Sequence, residues 1–94
     1  MLRELNPLIH SQLRLAIMTL LLSVDEADFT YLKEQTNATA GNVSVQLEKL
    51  STAGYIQVTK EFVGKKSRTS CRITEAGKEA MEEYVEALKS YLKL

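Results

Sequence analysis

A chain of 94 residues, 45% hydrophobic and 26% charged, can bury one modest core and has little room for a second, so a single domain spanning residues 1–94 is expected. The longest apolar run, Leu13 to Leu22, is interrupted by Arg14 and Thr19 and is about half of the ~20 residues that a membrane span needs. The start of the chain lacks the cationic, apolar and small-residue order of a signal peptide, so a soluble cytoplasmic protein with no membrane partner is expected. Cys71 is the one cysteine, which excludes an intrachain disulfide and a cysteine-based metal site. In a reducing compartment the sequons at Asn37 and Asn42 are chance matches. No glycine-rich phosphate loop appears, and one histidine, His10, cannot support a Ser/His/Asp set or a metal site. No enzyme, cofactor or metal is therefore expected.

In chain order, Asn6 is a candidate N-cap and Pro7 a suitable first helical residue, predicting a first helix over about 7–22 that is apolar nearly all round. The acidic "SVDEAD" interrupts it, and a short second helix is expected over about 29–36, capped by Asp28 or Thr30. A third helix over about 40–53 places Val43, Leu47 and Leu50 on one face and stops at Gly54. "YIQVTKEF" and "TSCRIT" alternate, are rich in β-branched residues and flank "VGKKSR", which predicts an antiparallel hairpin over about 55–74 bending at Gly64. Its inward face is Ile56, Val58, Cys71 and Ile73. Thr74 caps a last helix to about residue 92, with an apolar stripe of Met81, Tyr84, Val85, Leu88, Tyr91 and Leu92. The fold class is thus mainly α with one small antiparallel hairpin, in the order of a winged helix-turn-helix.

The formal net charge is zero, but it is unevenly laid out. Residues 1–59 hold four Lys/Arg and six Asp/Glu, residues 60–74 hold five and one, and residues 75–94 hold three and five. One basic segment of local balance +4 lies between two of −2, a footprint suited to a polyanion.

The stretches "RLAIMTLL" (14–21), "FTYLKEQTNATAGNVSVQLEKLSTAGYI" (29–56) and "KEFVGKKSRTSCRITEAGKEA" (60–80) together resemble the small stand-alone winged-helix regulators related to the MarR and ArsR groups of prokaryotic transcription factors. The resemblance implies sequence-specific binding to double-stranded DNA, usually as a homodimer. It also implies that the third helix enters the major groove and that the hairpin, as a wing, runs along the backbone or minor groove. The sequence departs from that group at Val45 and Gln46, where Arg and His are common.

With Val43, Leu47 and Leu50 inward, a rotation of about 100° per residue turns Gly41, Asn42, Val45, Glu48 and Lys49 outward, with Thr39 and Gln46 on the flank. Asn42 and Gln46 carry amides able to pair with adenine, and Val45 can meet a thymine methyl. Thr39 and Ser44 offer hydroxyls for phosphates near the helix N-terminus, Ser44 mainly by the resemblance. Gly41 would let the backbone approach DNA closely. Lys49 is the one cation of this helix. Lys65, Lys66, Ser67 and Arg68 form the expected wing contact with phosphates or a narrow minor groove.

The apolar surplus of the first and last helices predicts a homodimer through Leu8, Ile9, Leu13, Tyr84, Leu88, Tyr91 and Leu92. His10 is assigned to packing or a surface bond and Cys71 to the core. The alternative function is a winged-helix module that docks protein without binding DNA, favoured by the zero net charge and the cation-poor third helix. A small-molecule effector acting on a dimer pocket is compatible with either.

Overall fold

The structure is a computed structural model describing residues 1–93. Its elements are α1 (Gln12–Leu22), β1 (Ala27–Asp28), α2 (Phe29–Thr36), α3 (Ala40–Thr52), β2 (Ile56–Val63), β3 (Lys66–Ile73) and α4 (Glu75–Leu92). No described helix is long and apolar enough to cross a membrane.

The first helix starts later than its sequence predicts. Asn6 does cap a turn: its Oδ1 accepts from the N–H groups of Leu8 and Ile9, and its carbonyl accepts from His10 N–H at 2.8 Å. The chain then extends at Ser11 (φ −151°, ψ 130°), and α1 begins after it. Breaking the helix here lets Ile9 turn fully into the core, while Arg14 Nε donates to the carbonyl of Leu8 at 2.5 Å, satisfying a group that the break leaves open.

The remaining helix boundaries are set by their caps. Asp28 Oδ1 accepts from Tyr31 N–H at the start of α2, and Asn37 ends that helix in the left-handed region. Thr39 caps α3 by accepting from Asn42 N–H. At the other end Gly54 has φ +80°, and Gly54 N–H and Tyr55 N–H donate to the carbonyls of Ser51 and Leu50. That pairing is a Schellman motif, and its positive φ suits glycine. Thr74 caps α4 by accepting from Gly77 N–H and also donates to the Gly54 carbonyl, tying the start of α4 to the end of α3.

The sheet has three strands in the order β1-β3-β2, all neighbours antiparallel. The short β1 adds an edge to the expected hairpin through Ala27 opposite Cys71 and Asp28 opposite Ser70. Two residues are too few to show an alternating pattern, and Asp28 also reads as a helix cap, so this strand leaves no periodic trace in the sequence. In the hairpin, Ile56 faces Ile73 and Val58 faces Cys71 on the core side, as predicted. Val63 and Lys66 flank a two-residue turn in which only Gly64 has positive φ (+66°), the pattern of a type II′ turn.

The core joins Ile9, Ile17, Met18 and Leu21 to Leu32, Val43, Leu47, Leu50, Ile56 and Cys71, with Met81 and Tyr84 closing it from α4. Helix α1 runs through the middle, in contact with α2, α3, β3 and α4. Its apolar faces are therefore largely covered by the chain's own elements, and Leu13 packs half-buried against that core. This corrects the expected interface between copies at two positions: Ile9 and Tyr84 are enclosed within one chain. The Tyr84 hydroxyl instead lies 2.9 Å from Nδ1 of His10 at the surface.

Candidate nucleic-acid interface

Capping and amphipathicity fix how α3 is presented. Val43, Leu47 and Leu50 are buried, so Thr39, Gly41, Asn42, Ser44, Val45 and Lys49 are exposed and Gln46 is half-buried. Gly41 has ordinary helical φ and open space around it, so the fold itself does not require glycine there.

The polar face is internally organised. Arg14 Nη1 donates to Gln46 Oε1 at 2.5 Å, and Gln46 Nε2 donates to Asn42 Oδ1 at 2.8 Å. Arg14 thus brings a second cation to α3 from α1, beside the expected Lys49. It lies 32 positions before Gln46 in the chain, so local periodicity cannot find it.

The wing projects well beyond the core. Its eight-residue strands reach about 27 Å, and the molecule measures 54 × 25 × 21 Å. Antiparallel register sorts its side chains into two faces. Lys66, Arg68 and Arg72 share the outer face, where Glu61 stands opposite Arg68. Arg68 Nε is 3.9 Å from Asp28 Oδ2, and Arg72 Nη2 is 3.6 Å from Glu26 Oε2. The basic patch is therefore partly neutralised by acids of and beside β1. Lys60, Lys65 and Lys66 form no ion pair among the described residues. Ser67 lies opposite Phe62 on the other face, and Phe62 is 78% exposed near the tip.

Helix α3 and the wing border one open groove of about 720 Å³. Ser44, Glu48 and Thr52 line it from the helix, and Val58, Lys60 and Thr69 from the wing. Lys60, absent from the predicted contact set, faces this groove because it shares the strand face of Ile56 and Val58. Leu8, expected at an interface between copies, instead lines a shallow apolar depression with Val45, Lys49 and Thr52 on the α3 side. Of the other predicted interface residues, Leu88 packs partly against the core, while Tyr91 and Leu92 are exposed at the end of α4.

Cys71 is buried, and burial, with a smaller contribution from the charge of Glu26, pushes its thiol up to about 11. It is a small core side chain, held in its unreactive thiol form at neutral pH. Among the described residues no three His, Cys, Asp or Glu side chains converge as metal ligands.

Comparison with known proteins agrees with this geometry. The profile of the winged helix DNA-binding domain matches residues 13–92. An uncharacterized protein of Methanocaldococcus jannaschii is 33% identical over 76 residues, covering 81% of this chain and 83% of its own. The structure of a transcriptional regulator homologue from Pyrococcus horikoshii superposes with a TM-score of 0.83 at 26% identity, over 92% of this chain and 85% of that one. A mutant MarR from E. coli complexed with operator DNA shares the fold at a TM-score of 0.72 and 14% identity, over 89% of this chain and 58% of its own. The cap-defined α3, the paired wing and a profile match across most of the sequence lead to one assignment: the chain belongs to the family of winged helix DNA-binding domains.

Proposed function

We propose that this protein is a sequence-specific regulator of transcription that binds double-stranded DNA and acts as a repressor. Helix α3 enters the major groove, where Asn42, Val45 and Gln46 meet base edges, and Thr39, Ser44 and Lys49 meet flanking phosphates. The wing carries Lys65, Lys66, Ser67 and Arg68 to the backbone or the adjacent minor groove. The observation that carries this reading is the groove shared by α3 and the wing, with Lys60 inside it and Lys65 and Lys66 beyond it, without an ion-pair partner among the described residues. Unpaired lysines on a projecting ribbon gain most from a polyanion, because each phosphate they neutralise releases a counterion.

A salt titration of binding to random-sequence duplex tests it. Log affinity is expected to fall linearly with log salt, with a slope of about −0.9 for each phosphate contacted. A flat dependence would remove DNA from the reading and leave protein docking.

The functional unit is a homodimer, which sets two α3 helices about 34–36 Å apart for successive turns of the major groove. Support comes from the apolar end of the molecule, where Leu88 is half-buried and Leu2, Tyr91 and Leu92 are exposed. Arg3 N–H donates to Ser90 Oγ and brings the N-terminal segment to that end. Tyr91→Glu is expected to convert the dimer to a monomer at micromolar concentration in sedimentation, with operator binding weakened through lost avidity. A wild-type protein that sediments as a monomer would exclude the dimer.

A further inference from the structure

Arg14 reaches the amides of the polar face of α3 from behind, fixed by its Nε on the carbonyl of Leu8 at 2.5 Å. Its Nη1 meets Gln46 at 2.5 Å, and Gln46 meets Asn42 at 2.8 Å. A guanidinium carries donors only, so the end of the Gln46 amide that meets it has to be the oxygen. The nitrogen end of Gln46 then points to Asn42, which has to answer with its own oxygen. Both carbonyl ends are thereby engaged within the protein. One hydrogen on Gln46 Nε2 and two on Asn42 Nδ2 have no partner among the described residues.

We propose that Arg14 sets the base preference of α3: by orienting Gln46 and Asn42 with their N–H groups outward, it directs this helix to guanine and away from adenine. A free Asn or Gln amide offers one acceptor and one donor, which matches N6–H and N7 of adenine. Two amides whose oxygens each already accept a bond from within the protein, while three of their N–H hydrogens have no partner among the described residues, present mainly donors, which match the two acceptors of guanine, N7 and O6. The chain starts from a charged donor, which strengthens each successive bond and holds the amides against rotation. Arg14 is half-buried and acts through Gln46, so it is a positioning residue rather than a base contact. The inference rests on the DNA reading above and specifies what that surface recognises.

Selection from randomised duplexes with the full chain tests the inference, using wild type, Arg14→Met and Gln46→Glu. Wild type is expected to favour guanine over adenine at one position of each half-site by about 5- to 150-fold. Arg14→Met keeps an apolar stem, releases the Gln46 oxygen and should move that position toward adenine. Gln46→Glu keeps an acceptor for Arg14 but removes the Nε2 donor, so Asn42 has to turn its nitrogen inward and its oxygen outward. The preference should then move to cytosine, whose N4 amino group is a donor. A purely structural role for Arg14 would not reverse polarity in this way.

A second readout needs no DNA. The Arg14 Nη–H resonances, held by residue 46, should be separately resolved and slow to exchange with solvent in ¹⁵N spectra of wild type and Gln46→Glu. An averaged Arg14 signal overturns the relay whatever the DNA result, as does an adenine preference in wild type or one motif shared by all three proteins. A slowly exchanging Arg14 in a wild type that binds no duplex would instead sink the DNA reading itself, and the base preference with it.

Discussion

Replacing Lys65, Lys66 and Arg68 together by alanine is expected to flatten the salt dependence of duplex binding by roughly 2–3 in slope per protomer, since each lost phosphate contact contributes about 0.9. The result should fall nearer 2 than 3. Arg68 already has Asp28 at 3.9 Å and Glu61 opposite it across the hairpin, whereas Lys65 and Lys66 form no ion pair among the described residues. A slope change of 2 means that the variant's deficit relative to wild type shrinks about 15-fold between 50 and 200 mM salt. In a symmetric dimer the slope change can reach twice that of one protomer. The variant should remain folded, because these side chains are exposed and charges of that kind seldom contribute more than ~0.5 kcal/mol to stability. The half-exposed Arg68–Asp28 pair adds little to this figure. An unchanged slope in a folded variant would show the patch to be merely solvated.

Gly77→Ala is expected to destabilise the fold by about 3 kcal/mol, at the upper end of what an added methyl costs in a packed interior. Gly77 lies in the first turn of α4, buried against the junction of α3 and β2. A Cβ there would run into the Tyr55 carbonyl oxygen and lie 2.8 Å from Cγ1 of Ile73. The obstacle is backbone, so no rotamer change relieves it. Moving α4 away would also stretch the bonds from Thr74 N–H to the Tyr55 carbonyl and from Thr74 Oγ1 to the Gly54 carbonyl. For a domain of this size the midpoint of thermal unfolding should fall by roughly 10–25 °C. Gly41→Ala is the matched control, since it fills open space on a helix, and it should stabilise the free protein by about 0.5–1 kcal/mol. A Gly77→Ala variant melting within a few degrees of wild type would contradict the packing described here.

The helices and the hairpin were legible in the sequence because their determinants are local. Val43, Leu47 and Leu50 recur at helical spacing, Thr74 caps α4, and Gly54 and Gly64 supply the two positive φ values the turns require. The exposed face of α3 is given by the buried one through rotation alone, and the wing cations are adjacent in the chain. The predicted start of α1 failed because a local signal was real but incomplete. Asn6 caps one turn, yet burying Ile9 requires the chain to break at Ser11 before the helix proper begins. The predicted interface failed at Ile9 and Tyr84 for a related reason: composition counts apolar residues without showing which of them the same chain covers.

By itself, then, the sequence determined α2, α3, α4 and the hairpin, the capping role of Thr74, the order that makes a winged helix and the position of the basic hairpin, all set by interactions spanning a few residues. Only the tertiary structure decided the third strand, the pairing of Arg68 and Arg72 with acids of the β1 segment, and the contact of Arg14 with Gln46. Those depend on residues tens of positions apart being packed to within hydrogen-bonding or ion-pairing distance, and hydrophobic collapse around α1 sets that proximity where no periodic pattern encodes it.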